Sequence, residues 1–240
     1  MRRDLICILR LSVDSLPSIV RNSKFFFNFA KSIFKLPDEL FTFRAMYKRG
    51  KVNDLSIYYT DQDKSLERTS PTTDINSFHL KIIEKIVLAS PPSSLADVGC
   101  GTGYLLQLLY KKHSNCKYLG LDFNKPNNFV KSNSINFFSG DLLSNLKKIP
   151  NNSYDIVICA HVIEHVSKPV DLVKELRRIT KSTMILICPL EKEYKWGLNY
   201  HVNFFPNSKY FISFVREYAP IDSKYKSYKI LGDQMYVEKL

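Results

Sequence analysis

The stretch Leu95–Leu109, LADVGCGTGYLLQLL, decides the fold. It begins with a short apolar strand, passes through a turn with glycines at alternate positions, and ends in a helical pattern of leucines. Glycine lets the backbone adopt positive φ and lets a ligand approach without meeting a Cβ atom. Thr102 is the expected N-cap of the helix, whose first N–H groups face the same space. The stretch therefore predicts the first βα turn of a nucleotide-binding α/β unit.

The spacing of the glycines narrows the choice of ligand. A dinucleotide-binding turn needs Gly-x-Gly-x-x-Gly, but the sixth residue counted from Gly99 is Tyr104. Counted from Gly101, it is Leu106. A phosphate-binding P-loop is excluded because no Gly-Lys-Ser/Thr closes the turn. The turn reads Asp-x-Gly-x-Gly-x-Gly from Asp97, and an acid there suits a cation such as an α-amino group.

This turn resembles motif I of the class I S-adenosylmethionine-dependent methyltransferases. The resemblance extends over residues 75–240 and implies an α/β fold with a doubly wound, seven-stranded, mostly parallel sheet. Residues 1–74 lie outside it and are interpreted as an N-terminal helical or lid extension. The implied cofactor is S-adenosyl-L-methionine. The loop residues predicted to bind it are Asp97, Gly99, Cys100, Gly101 and Gly103.

Two later acids extend the predicted cofactor site. Asp122 ends the second predicted strand, 19 residues after Gly103, close to the roughly 20 at which an acid binds ribose hydroxyls in similar turns. The sequence Ser-Gly-Asp-Leu at 139–142 resembles the family's Gly-Asp motif, which implies that Asp141 and Leu142 contact adenine. Asp141 as the N-cap of a short helix is the alternative, and both roles can hold together. Only a short crossover fits between Asp122 and the third strand, which departs from the family pattern.

The fourth predicted strand runs into HVIEHVSKP at residues 161–169. The letters match an inverted zinc-protease signature, but that signature needs a helix, whereas these residues close a strand and precede a proline. They resemble motif IV of methyltransferases that act on small molecules, and the resemblance makes His161 a candidate general base. Some similar O-methyltransferases bind a divalent ion here, and Glu164 and His165 match two of its ligands. Because His161 replaces the acid, we expect no metal.

The segment at residues 191–205 is rich in aromatic residues, including Trp196, and is expected to line the active-site mouth. Within it, HVNFF at 201–205 resembles a His-x-x-x-Phe stretch that precedes the last helix of small-molecule methyltransferases. The resemblance implies that His201 faces the acceptor and is a second catalytic candidate; a purely structural His201 is the alternative. Two strands near the C-terminus, 224–230 and 234–239, are predicted to form the reversed final pair of the sheet.

Composition limits the compartment and the partners. The net charge is +12, and residues 1–51 carry eleven Lys/Arg against four acids, a net +7. This excess of positive charge favours nucleic acid, anionic lipid or an acidic substrate as the partner. It fits a basic protein without such a partner equally well. Five scattered cysteines without Cys-x-x-Cys predict reduced thiols and a cytoplasmic protein. No apolar run is long enough to span a bilayer. Helices broken near Pro17 and Pro37 are expected to form a lid, or alternatively a peripheral membrane contact.

The predicted function is methyl transfer from S-adenosylmethionine to a small-molecule or glycan acceptor, at oxygen. Direct displacement needs positioning rather than a covalent enzyme nucleophile, and the sequence shows no Ser-His-Asp or Cys-His pattern. Two alternatives stay open. The charge favours an RNA methyltransferase, although the residues after strand four do not resemble Asn-Pro-Pro-Tyr and no RNA-binding module is recognisable. The short crossover favours a non-catalytic regulatory protein that binds S-adenosylmethionine.

Overall fold

The computed structural model describes residues 11–34, 38–50, 73–124, 134–193, 195 and 199–240. Its strands form one sheet. They are β1 Ser94–Val98, β2 Lys117–Asp122, β3 Ile135–Ser139, β4 Tyr154–Ala160, β5 Thr180–Pro189, β6 Lys224–Ile230 and β7 Asp233–Lys239. The strand order is β3-β2-β1-β4-β5-β7-β6, which confirms the predicted doubly wound sheet.

Helices flank the sheet and precede it. They are α1 Ser18–Arg21, α2 Lys24–Phe34, α3 Glu39–Lys48, α4 Ser77–Ala89, α5 Tyr104–Lys112, α6 Leu142–Lys147, α7 Pro169–Ile179 and α8 Ser208–Arg216. Local sequence sets several of their starts. Asn76 caps α4 by accepting from the N–H of His79, and Pro169 opens α7, where a missing N–H costs nothing. In the described ranges, every helix falls short of a bilayer span in length or in apolar character.

The first five strands are parallel, and β7 runs antiparallel to both β5 and β6. The reversal follows from a tight hairpin between β6 and β7. Leu231 and Gly232 both have positive φ, 52° and 78°, as a two-residue hairpin turn requires. The predicted reversed final pair is therefore confirmed, with β7 beginning at Asp233.

Apolar side chains fill both faces of the sheet. On one face, α4 and α5 cover the strands with Ile83, Val87, Leu105, Leu106 and Leu109. On the other face, α6, α7 and α8 contribute Leu142, Leu146, Leu172, Leu176, Phe211 and Val215. The central strands are buried on both sides, which is the usual environment of parallel strands and explains their nearly continuous apolar runs. This layering leaves the carboxyl ends of the strands as the edge where a ligand binds.

The structure contradicts one sequence-based expectation, and a second one concerns residues outside the described part of the chain. The N-cap of α5 is Gly103, with φ 72° and no side-chain capping bond, so the prediction of Thr102 as N-cap is wrong. The left-handed backbone at Gly103 turns the chain into the helix. The predicted short crossover falls largely on residues 125–133, outside the described residues.

Candidate active site

The glycine loop after β1 contains Gly99, Gly101 and Gly103, and the first two have different surroundings. All three loop glycines have positive φ: 77° at Gly99, 51° at Gly101 and 72° at Gly103. A Cβ atom on Gly99 would lie 2.0 Å from Cγ2 of Val162, whereas a Cβ on Gly101 would have no neighbour within 4 Å. Gly99 is therefore required by packing against the turn after β4. Gly101 borders open space, where a ligand can approach the backbone.

Asp122 stands at the tip of β2 and is bound to this loop. Its Oδ2 accepts from the N–H of Gly101 at 2.7 Å, and its Oδ1 accepts from the N–H of Phe123 at 2.7 Å. An ionised carboxylate has about four acceptor positions, so Asp122 has capacity for ribose hydroxyls as well. The glycine loop and Asp122, the residue predicted to bind ribose, are thus joined by a hydrogen bond before any cofactor binds.

Asp97 lies on β1 directly before the loop and is 4% exposed. Burial, together with the neighbouring charge of Asp122, raises the pKa of its carboxyl group to about 7. A nearby cation favours the ionised form of such a group. The site at Asp97 therefore fits the ammonium group of S-adenosylmethionine.

The remaining predicted cofactor residues are placed as follows. Asp141 is exposed and caps α6 by accepting from the N–H of Ser144 at 2.8 Å, so the predicted N-cap role is confirmed. Leu142 is the first residue of that helix. The Cys100 side chain is buried, and its Sγ lies 2.8 Å from the point where a Cβ on Gly120 would stand. Any contact between Cys100 and the cofactor must come from its backbone. The adenine roles of Asp141 and Leu142 stay predictions.

His161 begins the turn after β4 with φ 56°. Its side chain is 6% exposed, with Nδ1 3.4 Å from Oε1 of Glu164 and Nε2 3.8 Å from Oδ2 of Asp233. Both ring nitrogens therefore lie near carboxylates. The role of His161 as general base stays a prediction, and its contacts suit it to holding Glu164 in place.

Glu164 is a buried carboxylate at the centre of this turn, 1% exposed. Burial would raise its pKa, but the hydrogen bond from His161 and the neighbouring histidines outweigh that effect and lower the pKa to about 2. Its Oε2 has no hydrogen-bond partner among the described residues. Burial, together with the neighbouring His201, lowers the pKa of the adjacent His165 to about 4. His165 is therefore neutral at physiological pH.

His201 forms a pair with Glu191, which follows the end of β5. Nδ1 of His201 contacts Oε1 of Glu191, which is 2% exposed. When Glu191 is ionised it can only accept, and the imidazole then carries its proton on Nδ1 and its lone pair on Nε2. The His201 ring meets the His165 ring edge to face, with centroids 4.6 Å apart. A carboxylate that orients a histidine in this way is one element of a general-base site.

The segment carrying His201 is fastened to the turn after β4. Nδ2 of Asn203 donates to the carbonyl oxygens of Ile163 at 2.8 Å and Val166 at 2.7 Å. The N–H of Val202 donates to the carbonyl oxygen of Glu164 at 2.8 Å. Sequence reasoning missed Glu191 and Asn203, although Glu191 is an acid just past a strand end and could have been noticed. Trp196, expected at the mouth of the site, lies outside the described residues.

The side chains able to hold a metal differ from those that the sequence suggested. Ligand atoms of Glu164, His165 and His201 lie within 4.8 Å of one another, and these donor types bind several divalent ions. The structure thus brings His201, rather than His161, to the other two. The expectation of no metal stays a prediction.

Comparison with known proteins identifies the domain. A sequence model for the family described as "Methyltransferase domain" matches residues 96–188. A malonyl-[acyl-carrier protein] O-methyltransferase of Halalkalibacterium halodurans is 25% identical over 103 residues, which are 40% of this chain and 38% of that protein. A ubiquinone biosynthesis O-methyltransferase of Nitrosomonas europaea is 23% identical over 140 residues, 55% of this chain and 57% of that protein. The matches therefore span about half or less of these curated relatives.

A solved structure shares the fold. An O-methyltransferase family protein from Burkholderia thailandensis superposes with a TM-score of 0.55 at 9% identity, over 82% of this chain and 63% of that chain. The sheet order, the loop after β1 with an acid at the tip of β2, and the matched domain agree with one another. Together they identify residues 96–188 as a methyltransferase domain and support a class I S-adenosylmethionine-dependent enzyme.

Proposed function

We propose that this protein transfers the methyl group of S-adenosylmethionine to a hydroxyl oxygen of a small-molecule or glycan acceptor, with His201 as the general base. The pair of His201 with Glu191, next to the buried Glu164, carries the proposal. The curated relatives named above are O-methyltransferases, which supports oxygen as the target.

One group of residues binds the cofactor, and His201 with Glu191 accepts the proton. When bound, S-adenosylmethionine supplies an electrophilic methyl group. Asp97 and the glycine loop bind its methionine part, Asp122 binds the ribose hydroxyls, and Asp141 with Leu142 binds adenine. The cofactor would give up the methyl group from its sulfonium sulfur and leave as S-adenosylhomocysteine, while the hydroxyl proton of the acceptor passes to Nε2 of His201 and Glu191 stabilises the resulting imidazolium.

The first experiment is calorimetric titration with S-adenosylmethionine, S-adenosylhomocysteine and NAD. We expect micromolar binding of the first two, none of NAD, and a large loss of affinity in Asp122→Ala. Sugars and phenols are then screened as acceptors, before and after chelation, with RNA as the competing substrate. Methylation of RNA, or cofactor binding without turnover on any acceptor, would contradict the proposal.

The base is tested by His201→Gln. We expect kcat to fall about 10²- to 10³-fold, because proton transfer by a positioned side chain contributes about that much, while affinity for S-adenosylmethionine is unchanged. The matched control is His113→Gln, since His113 contacts the carbonyl oxygen of Pro92 and lies outside this cluster. Equal rates for the two variants would eliminate His201 as the base.

A further inference from the structure

Helix α3 lies outside the matched methyltransferase domain, yet it packs against the segment that carries His201. The rings of Phe43 and Tyr200 meet edge to face with centroids 5.0 Å apart, and both side chains are buried. Lys48 on the same helix forms an ion pair with Glu193. Residues of the N-terminal region therefore touch the catalytic segment directly.

Arg44 reaches from α3 into this contact and is 4% exposed. Its guanidinium carbon lies 4.4 Å from the centre of the Phe204 ring, a cation–π arrangement. Its Nη2 donates to Oδ1 of Asn199 at 3.4 Å. Burial lowers the pKa of Arg44 and the charges of Glu191 and Glu193 raise it; the guanidinium keeps its charge in proteins.

Asn199 connects this guanidinium to the catalytic pair. Its Nδ2 donates to both carboxylate oxygens of Glu191, at 3.2 and 3.3 Å. Its Oδ1 accepts from the N–H of His201 at 3.2 Å as well as from Arg44. Two donors at the oxygen fix the orientation of the amide, which turns its NH₂ group toward the carboxylate. A continuous series of contacts thus runs from Arg44 through Asn199 and Glu191 to Nδ1 of His201.

We propose that Arg44 is a positioning residue of the active site. It holds Asn199 and Glu191 so that His201 keeps its proton on Nδ1 and its lone pair on Nε2. This inference rests on the proposed role of His201 as base, and it makes the N-terminal region a part of the catalytic site.

The test compares Arg44→Met, which keeps an unbranched side chain without its charge, with Arg44→Lys and with Lys48→Met. Lys48 is the matched control because it is a cation on the same helix and its side chain is 61% exposed. We expect kcat of Arg44→Met to fall about tenfold, with unchanged affinity for S-adenosylmethionine. The acidic limb of its pH–rate profile should move up by about 0.5–1 unit, because Glu191 then faces His201 without a compensating cation. Arg44→Lys should recover part of the rate, and Lys48→Met should match the wild type.

A second measurement does not need turnover. Nitrogen-15 spectra of labelled histidine, with His201 assigned from His201→Gln, report its tautomer. We expect the Nδ1–H tautomer in the wild type and a mixture of the two tautomers in Arg44→Met. A slower Arg44→Met with an unchanged pH profile and unchanged spectrum, or the same losses in Lys48→Met, would overturn the inference. A wild type that methylates no acceptor would defeat the proposed function, while the spectra would still decide the role of Arg44.

Discussion

At the scale of single residues, Asp97 shows how a buried carboxyl group, here in the proposed cofactor site, can reduce the stability of the protein that contains it. The carboxyl group is buried, and its pKa is raised to about 7, whereas in the unfolded chain it is near 3.8. Between pH 3.8 and about pH 7 the carboxyl group of Asp97 is protonated in the folded state and ionised in the unfolded state. The free energy of unfolding therefore falls as the pH rises through this window. Binding of a cationic ligand offsets the loss.

We therefore predict that Asp97→Asn stabilises the protein in the absence of cofactor. Its advantage over the wild type in free energy of unfolding should grow by about 2–3 kcal/mol between pH 5 and pH 8, and its affinity for S-adenosylmethionine should fall. Urea unfolding at the two pH values measures the first effect.

Asp155→Asn is the control for this prediction. Hydrogen bonds from Ser93 lower the pKa of Asp155, so both states are ionised at pH 5 and at pH 8. The effect of Asp155→Asn on stability should be the same at both values. An advantage of Asp97→Asn that does not grow with pH would show that the pKa of Asp97 is not raised.

At the scale of elements, the glycine loop and the turn after β4 pack as one unit. Strands β1 and β4 are paired, with Val98 opposite Cys159, and Val162 lies against Gly99. The glycine pattern of the motif therefore records a packing constraint as well as a ligand-binding one.

We predict different consequences for Gly99→Ala and Gly101→Ala. Both place alanine at positive φ, at a cost of about 1–2 kcal/mol. Gly99→Ala also clashes with Val162 and should lose about 1–3 kcal/mol more, whereas Gly101→Ala should mainly weaken cofactor binding. Thermal unfolding with and without S-adenosylmethionine separates the two effects. The double variant Gly99→Ala/Val162→Ala should recover part of the lost stability; equal losses in the two single variants would refute the packing argument.

At the scale of the whole molecule, the N-terminal region presents two different surfaces. Phe27 on α2 is 1% exposed and packs inward, while Phe25, Phe29 and Ile33 on the outer face are 81%, 56% and 56% exposed. Residues 1–51 carry a net charge of +7, out of +12 for the whole chain. Apolar and basic groups together are suited to an anionic lipid surface.

We predict that the protein sediments with vesicles that contain an anionic lipid, and less with neutral ones. Phe25→Ser/Phe29→Ser and added salt should both reduce binding, because one removes the apolar contact and the other screens the charge. Phe78→Ser is the control, since Phe78 is 51% exposed on α4, one of the helices that cover the sheet. Equal losses in this control, or equal binding to neutral vesicles, would count against the membrane contact.

Local sequence patterns were sufficient for much of the fold. The pattern of apolar runs predicted that β1 leads into the glycine loop, that β2 ends at Asp122 and that β4 ends just before His161, because the burial of a strand depends on the period of the pattern. The helix N-cap at Gly103 was missed because a left-handed glycine and a capping threonine stood side by side, and only the backbone conformation distinguishes them.

The sequence by itself determined the sheet and the glycine loop, since these depend on short stretches whose spacing is visible in the chain. The tertiary structure decided which carboxylates each histidine meets. His161 lies between Glu164 and Asp233, while His201 is paired with Glu191. It also decided that Arg44 meets Asn199, 155 residues away along the chain. Such contacts depend on how separate elements pack together, and no local pattern of residues encodes that packing.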